Sequence, residues 1–276
     1  MYSTIINADQ LEPLIGRDTV VFDCRFDLQN PSAGREQYSQ GHIPGAYFLD
    51  LELDLSAPIN ARSGRHPLPE IEHFAEILQS SGVQPSSQIV TYDDSGGCFA
   101  ARAWWIIRAL GHESVAVLSN GFSGWQKNQR AIDKRTPPET PGHFIAPKTW
   151  QLPLLDYSAV FEALNDKHYV LVDARDNARY NGEHEPIDPI AGHIPGAINK
   201  PWFELITDKC ISESQTQHVN RWQDLQNKNC VHYCGSGVTA CVNVLSQTIA
   251  TGSVPPLFAG SWSQWCSVYP ELIEKR

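Results

Sequence analysis

The sequence predicts an α/β protein made of two similar domains, each with a small, mostly parallel sheet flanked by helices. Two observations carry this prediction: short apolar strands alternate with helical stretches, and several motifs occur twice in the same order. Strands that are separated by helices need crossover connections, which make neighbouring strands parallel and cover both faces of the sheet. A length of 276 residues is enough for two such domains, each with its own core.

The repeated motifs define the doubled unit. The strand VVFDCR at 20–25 is matched by VLVDAR at 170–175, and GHIPGA occurs at 41–46 and again at 192–197. IVTYDDSGG at 89–97 is matched by CVHYCGSGV at 230–238, and LSNGFSGW at 118–125 by LFAGSWSQW at 257–265. Because the order is kept while the spacing drifts with loop length, we interpret the pattern as an internal duplication.

Helices and a linker complete the predicted organisation. EHFAEILQSSG at 72–82 and CFAARAWWIIRALG at 98–111 predict helices in the first copy, and a helix is expected from about Thr239 in the second. TPPETPGHFIAP at 136–147 contains four prolines, which favour an extended linker. The predicted domains are therefore 1–135 and 148–276.

Composition and charge exclude several classes of partner and point to one compartment. The net charge is -10 with a pI of about 5.4, and no run of lysines or arginines is present, which disfavours nucleic-acid and membrane partners. No apolar run approaches the roughly 18 residues of a membrane span. The first residues lack the patterns of a secretory or organelle signal, so a cytoplasmic location is expected.

The seven cysteines predict neither a disulfide framework nor a metal site. Their number is odd and their spacing is irregular. Cys230, His232 and Cys234 alternate along one predicted strand, but no second ligand pair accompanies them, so zinc is disfavoured. No metal or cofactor is expected.

The duplication acts as an internal control, because features present in both copies are expected to be structural. These shared features are Asp23 with Arg25, Asp173 with Arg175, His42, His193, Tyr92 and Tyr233. Two differences between the copies remain. The first copy has Asp93 where the second has Cys234, and it has Gln29 where the second has Arg179. A nucleophile and a cation are thus predicted in the second copy only.

The segment CGSGVTA at 234–240 is the strongest candidate for chemistry. It places a thiol between a predicted strand and the start of a helix, where free backbone N–H groups favour an anion and hence a reactive thiolate. Glycines 235 and 237 allow successive N–H groups to turn towards the sulfur. The alternative is a buried cysteine before a glycine turn, with Ser236 capping the helix.

Two other uses of such a loop are disfavoured. Cysteine phosphatases carry an arginine six positions after the cysteine, where this chain has Ala240, so the planar group that grips a phosphoryl group is missing. Cys241 lies seven residues after Cys234, about 10 Å along a helix, which is beyond the reach of a disulfide bond.

These motifs resemble the two-domain rhodanese (sulfurtransferase) family over essentially the whole chain. The two GHIPGA turns, YDDSG followed by ARAWW, the GSWSQW ending and above all CGSGVT are most similar to 3-mercaptopyruvate sulfurtransferases. Thiosulfate sulfurtransferases of the family typically carry the basic loop CRKGVT, so the neutral loop here favours a singly charged keto acid. The resemblance implies two tandem rhodanese-like domains, of which the second holds the catalytic cysteine.

The resemblance also implies roles for individual residues. Cys234 would take sulfur from 3-mercaptopyruvate, release pyruvate and pass the sulfur from a persulfide to cyanide, thiols or a thioredoxin-like protein. Ser236, His66 and Glu52 would form a proton relay, and Arg179 would bind the donor. The anion-binding loop would consist of Gly235, Ser236, Gly237, Val238 and Thr239.

One departure from the family pattern leaves the donor open. The family usually has a second substrate arginine shortly before the second GHIPGA, where this chain has Ile187, and His184 is the nearest substitute. Thiosulfate therefore remains an alternative donor. A persulfide carrier that turns over small donors poorly remains an alternative function.

Overall fold

The computed structural model describes all 276 residues, and the chain divides into two compact units. Unit 1 consists of Met1–Ala57, Pro69–Gln151 and Ile206–Glu213, and unit 2 of Pro58–Leu68, Leu152–Leu205 and Ser214–Arg276. Each unit therefore contains one short segment from the other half of the sequence. Within residues 136–147, which form no helix, Thr140, Gly142 and His143 donate backbone hydrogen bonds within unit 1, to Ser80, Gln79 and Val83.

Unit 1 is a five-stranded parallel sheet with helices between the strands. Its strands in spatial order are β1, β5, β4, β2 and β3. In chain order the elements are β1 Ile5–Ile6, α1 Ala8–Leu11, β2 Thr19–Asp23, α2 Ala33–Gln40, β3 Tyr47–Phe48, α3 Ile71–Ser80, β4 Gln88–Tyr92, α4 Cys98–Ala109, β5 Val115–Leu118 and α5 Gly121–Lys127. The helices predicted at 72–82 and 98–111 are confirmed within two residues.

Unit 2 repeats the plan with a smaller parallel sheet in the order β10, β6, β7. Its elements are α6 Tyr157–Ala163, β6 Tyr169–Asp173, α7 Asn177–Asn181, β7 Ile198–Asn199, α8 Gln215–Trp222, β10 Asn229–Tyr233, α9 Ala240–Thr251 and α10 Ser261–Val268. Between β7 and α8 the chain forms the hairpin of β8 Ile206–Thr207 and β9 Cys210–Ile211, which belongs to unit 1. The α/β class with mostly parallel sheets is confirmed.

The features shared by the two copies are structural, as predicted. Arg175 donates to both carboxylate oxygens of Asp173 and to Gly192 O at 2.6 Å, so that it ties the end of β6 to the GHIPGA turn. Arg25 makes the same bonds to Asp23 and Gly41 in unit 1. Both pairs are buried and hold the same position in the two units.

The same repeat extends to the cores. Trp125 and Trp265 are buried in corresponding clusters, and their indole N–H groups donate to Ala131 O and Leu272 O, each at 2.8 Å. His42 and His193 are fully buried, and the Nδ1 of each donates a hydrogen bond to a main-chain oxygen of the preceding helix, that of Tyr38 and of Tyr180. No helix combines the length and the apolar character needed to cross a bilayer.

Candidate active site

Cys234 directly follows β10, at the carboxyl edge of the unit 2 sheet. β10 pairs in parallel register with β6, so Tyr233 lies opposite Asp173 and both strands end together. In sheets of this kind the carboxyl ends of the strands are the usual place for ligands. The Cys234 side chain is buried. We call residues 234–239, between β10 and α9, the thiol loop.

The thiol loop turns its backbone towards the sulfur. The N–H of Gly237 donates to Cys234 Sγ at 3.1 Å. Gly237 has φ +80°, and an added Cβ atom would lie 2.2 Å from Ala259 O, so only glycine fits at this position. The backbone N–H groups of Val238, Thr239 and Ala240 donate to no protein acceptor, and Thr239 gives α9 no side-chain cap. The loop therefore has donors available for an additional anionic group.

Unit 1 shows what the corresponding loop binds. The carboxylate of Asp93, which holds the position of Cys234, accepts backbone hydrogen bonds at 2.7–2.9 Å from Ser95, Gly97, Phe99 and Ala100. A side-chain acceptor thus occupies the loop of unit 1 and binds four of its N–H groups. Because the two loops are repeats, these bonds support the view that the thiol loop also offers its N–H groups to an acceptor.

The backbone of Cys234 is fixed by a residue that sequence reasoning missed. Ser261 accepts the Cys234 N–H at 3.1 Å through its hydroxyl, which donates to Phe258 O at 2.9 Å. Ser261 has φ 54° although it carries a Cβ atom, and the repeat position in unit 1 is a glycine, Gly121, with φ 55°. A serine opposite a glycine in the duplication was the signal that could have identified it. A strained conformation next to a reactive group is typical of functional sites.

His66 reaches Ser236 from the segment Pro58–Leu68, which is part of unit 2. His66 Nδ1 lies 2.7 Å from Ser236 Oγ, and both residues are buried. The segment is fastened by the Arg65 N–H, which donates to Ser263 Oγ at 3.1 Å, and by the Gln264 amide, which donates to Arg62 O. The Ser236 hydroxyl faces His66 and α9 has no side-chain cap, so the predicted capping role of Ser236 is wrong.

Arg179 lies beside the thiol loop and is held by carboxylates. It donates to Glu185 at 2.8–3.1 Å and to Asp188 at 3.2 Å. A Cβ atom added to Gly235 would lie 3.3 Å from Arg179 Nη2. Burial raises the pKa of Glu185, but the hydrogen bonds from Arg179 and the Asp188 N–H outweigh it, so the pKa is lowered and the carboxylate stays charged.

A second arginine lies at the same place, and sequence reasoning missed it. Arg65 donates to Asp188 through two parallel bonds of 2.9 and 3.1 Å, and its Nη2 lies 2.9 Å from the Cβ position of Gly235. Asp188 therefore joins Arg65 and Arg179, and both guanidinium groups border the Cβ position of the residue that follows Cys234. Nothing in the repeat pattern marks Arg65, because its segment lies outside the paired motifs.

Of the remaining predicted residues, two lie in the thiol loop and two are exposed. Val238 is buried and Thr239 half-buried within the thiol loop. Glu52 lies in unit 1, exposed, where its own N–H donates to Asp50 and its carboxylate accepts no hydrogen bond, so its place in a proton relay stays a prediction. His184 is exposed and its imidazole makes no hydrogen bond.

Four of the other cysteines are poor candidates for a nucleophile. Burial raises the pKa of Cys24, Cys210, Cys230 and Cys266, for Cys266 to about 11, so these thiols stay protonated at neutral pH. No three His, Cys, Asp or Glu side chains lie close enough together to hold a metal ion.

Comparisons with known proteins identify the family of the chain. The rhodanese-like domain family matches residues 7–128 and 158–268. A Pseudomonas aeruginosa protein named "Probable 3-mercaptopyruvate sulfurtransferase" is 41% identical over 268 residues, which cover 95% of this chain and 94% of that protein. The 3-mercaptopyruvate sulfurtransferase of Escherichia coli is 34% identical over 255 residues, 87% of this chain and 88% of that protein.

Solved structures of sulfurtransferases are also similar to this chain. The crystal structure of SseA, a 3-mercaptopyruvate sulfurtransferase from Escherichia coli, is similar with a TM-score of 0.80 and 30% identity, over 94% of this chain and 98% of that one. The Leishmania major enzyme of the same name, at 24% identity, has a TM-score of 0.84 over 98% of this chain and 76% of its own, and supports the fold. The chain therefore belongs to the rhodanese family, as a two-domain sulfurtransferase most similar to the 3-mercaptopyruvate sulfurtransferases.

Proposed function

We propose that the protein transfers sulfur from 3-mercaptopyruvate through a persulfide on Cys234. The observation that carries this proposal is the thiol loop, in which Gly237 N–H contacts Cys234 Sγ while neighbouring N–H groups have no protein acceptor. A persulfide needs donors for an anionic outer sulfur, and this loop offers them.

The first half of the reaction forms the persulfide. The Cys234 thiolate attacks the sulfur of the donor, the carbon–sulfur bond breaks, and its electron pair stays on the carbon as the enolate of pyruvate. Protonation of that carbon gives pyruvate. Ser236 Oγ, hydrogen-bonded to His66, is the group that we assign to proton transfer at this step.

The second half returns the thiolate. A cyanide ion attacks the outer sulfur, the sulfur–sulfur bond breaks towards Cys234, and thiocyanate leaves. A thiolate acceptor, such as that of a thioredoxin-like protein, would attack in the same way and become the new persulfide. Arg179 binds the anionic donor during the first half, since its Nη2 lies 3.3 Å from the Cβ position of Gly235, the residue after the nucleophile.

Steady-state kinetics test the donor. Thiocyanate and pyruvate formation should give a higher kcat/KM with 3-mercaptopyruvate than with thiosulfate, and a clear reversal would assign the protein to the thiosulfate class. Incubation with donor alone should add the mass of one sulfur atom to Cys234. Cys234→Ser should lose both the mass increase and turnover, whereas Cys210→Ser, which replaces a half-buried cysteine of unit 1, should keep both.

The same experiment separates the enzyme from a carrier. Full loading of Cys234 with almost no turnover on cyanide or small thiols would favour a persulfide carrier that serves a protein acceptor. Absence of loading in the wild-type protein would contradict both functions.

A further inference from the structure

We propose that Arg65 is the second carboxylate-binding residue of this site and sets its preference for donors with one carboxylate. It stands in for the arginine that the family resemblance would place at Ile187. This inference deepens the proposed function and rests on it for the identity of the donor.

The position of Arg65 is the first argument. Arg65 and Arg179 approach Gly235 from the chain segments 58–68 and 177–181, and an added Cβ atom there would lie 2.9 and 3.3 Å from their Nη2 atoms. Two guanidinium groups thus border the residue that follows the nucleophile. A carboxylate bound between them would lie beside Cys234.

The hydrogen bonds of the two arginines are the second argument. Arg65 uses Nε and Nη2 for Asp188, and Arg179 uses Nε and Nη2 for Glu185 and Asp188. The Nη1 group of each arginine donates to no protein acceptor. The carboxylates therefore fix both planar groups by one edge and leave donors on the other, which suits a ligand that binds bidentately.

The charges of this cluster indicate which anion it prefers. Arg65 and Arg179 bind Glu185 and Asp188, and Arg175, which is paired with Asp173, also donates to Glu185 at 3.2 Å. Three arginines are thus balanced by three carboxylates, and the six side chains carry no net charge. A monoanionic carboxylate can use the free donors at little electrostatic cost, whereas a dianion such as thiosulfate adds a second charge beside two buried carboxylates. The cluster thus favours a keto acid over thiosulfate.

Ile187 cannot bind the carboxylate of a donor. Its side chain is apolar and 48% exposed, and its backbone N–H already donates to Glu185. Arg65 is half-buried and anchored by its backbone to Ser263, so its guanidinium group is held in place before a donor arrives. Such pre-organisation limits the entropy lost on binding.

The test compares two donors that differ only in the carboxylate. In Arg65→Gln the KM for 3-mercaptopyruvate should rise at least tenfold, with kcat changed less than threefold. The KM of Arg65→Lys should lie between those of the wild type and Arg65→Gln. With 1-mercapto-2-propanone, in which a methyl group replaces the carboxylate, kcat/KM should be the same in all three proteins. Arg62→Gln, three residues away with an exposed side chain, is the matched control and should match the wild type on both donors.

A different outcome would overturn the inference. An equal loss on both donors would show that Arg65 acts only on structure, and an unchanged KM for 3-mercaptopyruvate would show that it does not bind the carboxylate. The melting temperature of each variant identifies folding defects.

Alkylation of Cys234 tests Arg65 even if the protein turns over no donor. Iodoacetate carries a carboxylate and iodoacetamide is its neutral counterpart; in both cases the thiolate displaces iodide. The rate with iodoacetate divided by the rate with iodoacetamide should be at least fivefold lower in Arg65→Gln than in the wild type. In Arg62→Gln this ratio should equal that of the wild type. The same ratio in wild type and Arg65→Gln would reject the role of Arg65, while a failure of the wild type to load with sulfur would reject only the proposed function.

Discussion

At the scale of single residues, the two units differ mainly in what occupies the same loop. Asp93 fills the loop of unit 1 with its own carboxylate, which accepts hydrogen bonds from Ser95, Gly97, Phe99 and Ala100. Cys234 in unit 2 has a shorter side chain, and only Gly237 N–H contacts its sulfur. Replacing a carboxylate by a thiol therefore leaves room and donors for one further atom.

Loss of the Ser236 hydroxyl should slow catalysis. Because Ser236 Oγ lies 2.7 Å from His66 Nδ1, Ser236→Ala and His66→Asn should each lower kcat by about a hundredfold. The double variant should lose no more than either single variant, since the two side chains act as one unit. Ser95→Ala, at the repeat position of unit 1, is the control and should keep kcat. Additive losses in the double variant would argue against a shared proton path.

At the scale of elements, contacts from several parts of unit 2 shape β10 and the thiol loop. His232, in β10, is fully buried and bonded to the Gln247 amide at 2.6 Å. Gly237 lies against Ala259 O, and Ser261 at the start of α10 holds the Cys234 N–H. The strand, the loop and two helices thus together fix the position of one sulfur atom.

Substitution of Gly237 should damage both stability and activity. Gly237→Ala places a Cβ atom 2.2 Å from Ala259 O at a positive φ, so the free energy of unfolding should fall by about 2 kcal/mol or more, with a large loss of kcat. Gly252→Ala is the matched control, because Gly252 has φ +77° but no atom within 4 Å of its Cβ position. It should cost about 1 kcal/mol and leave kcat unchanged. Urea unfolding and steady-state kinetics measure the two effects. If Gly237→Ala and Gly252→Ala had the same free energy of unfolding and the same kcat, this account would be contradicted.

Acid should weaken the fold through His232. Burial lowers the pKa of His232 to about 4 although the bond to Gln247 raises it, whereas an unfolded histidine titrates near 6.5. Between these values the unfolded state binds a proton that the folded state does not, so stability is lost as the pH falls. Relative to His232→Gln, the wild-type free energy of unfolding should drop by about 2 kcal/mol between pH 7 and pH 5. A constant difference between the two proteins would show that His232 is not held neutral.

At the scale of the whole molecule, the sequence predicts the doubled architecture and the thiol but not the chain exchange. The repeated motifs are local, so the strands, the long helices and Cys234 follow from hydrophobic pattern and position. His66 and Ser236 are 170 residues apart, and no local pattern assigns Pro58–Leu68 to unit 2. Arg65 was missed for the same reason, and the pairing of Arg179 with Glu185 and Asp188 depends on how the chain folds between α7 and the second GHIPGA turn.

Removal of the Asp93 carboxylate should separate stability from activity. Asp93→Asn leaves one oxygen for four backbone donors, so the free energy of unfolding should fall by about 2–4 kcal/mol. The kcat of the folded protein should be unchanged, because Asp93 belongs to unit 1 and the thiol loop to unit 2. Urea unfolding and steady-state kinetics on the same preparation check this. A loss of kcat without a loss of stability would mean that Asp93 has a role in catalysis.

The exchanged segments also have a consequence for how such a chain can change in evolution. After a duplication, a copy without the nucleophile is ordinarily free to degenerate or to be deleted. Here Pro58–Leu68, encoded within the first copy, completes the unit that holds Cys234, and Ile206–Glu213, encoded within the second, completes the other. A gene deletion that removed the first copy would take His66 and Arg65 with it, so the two halves must be inherited together.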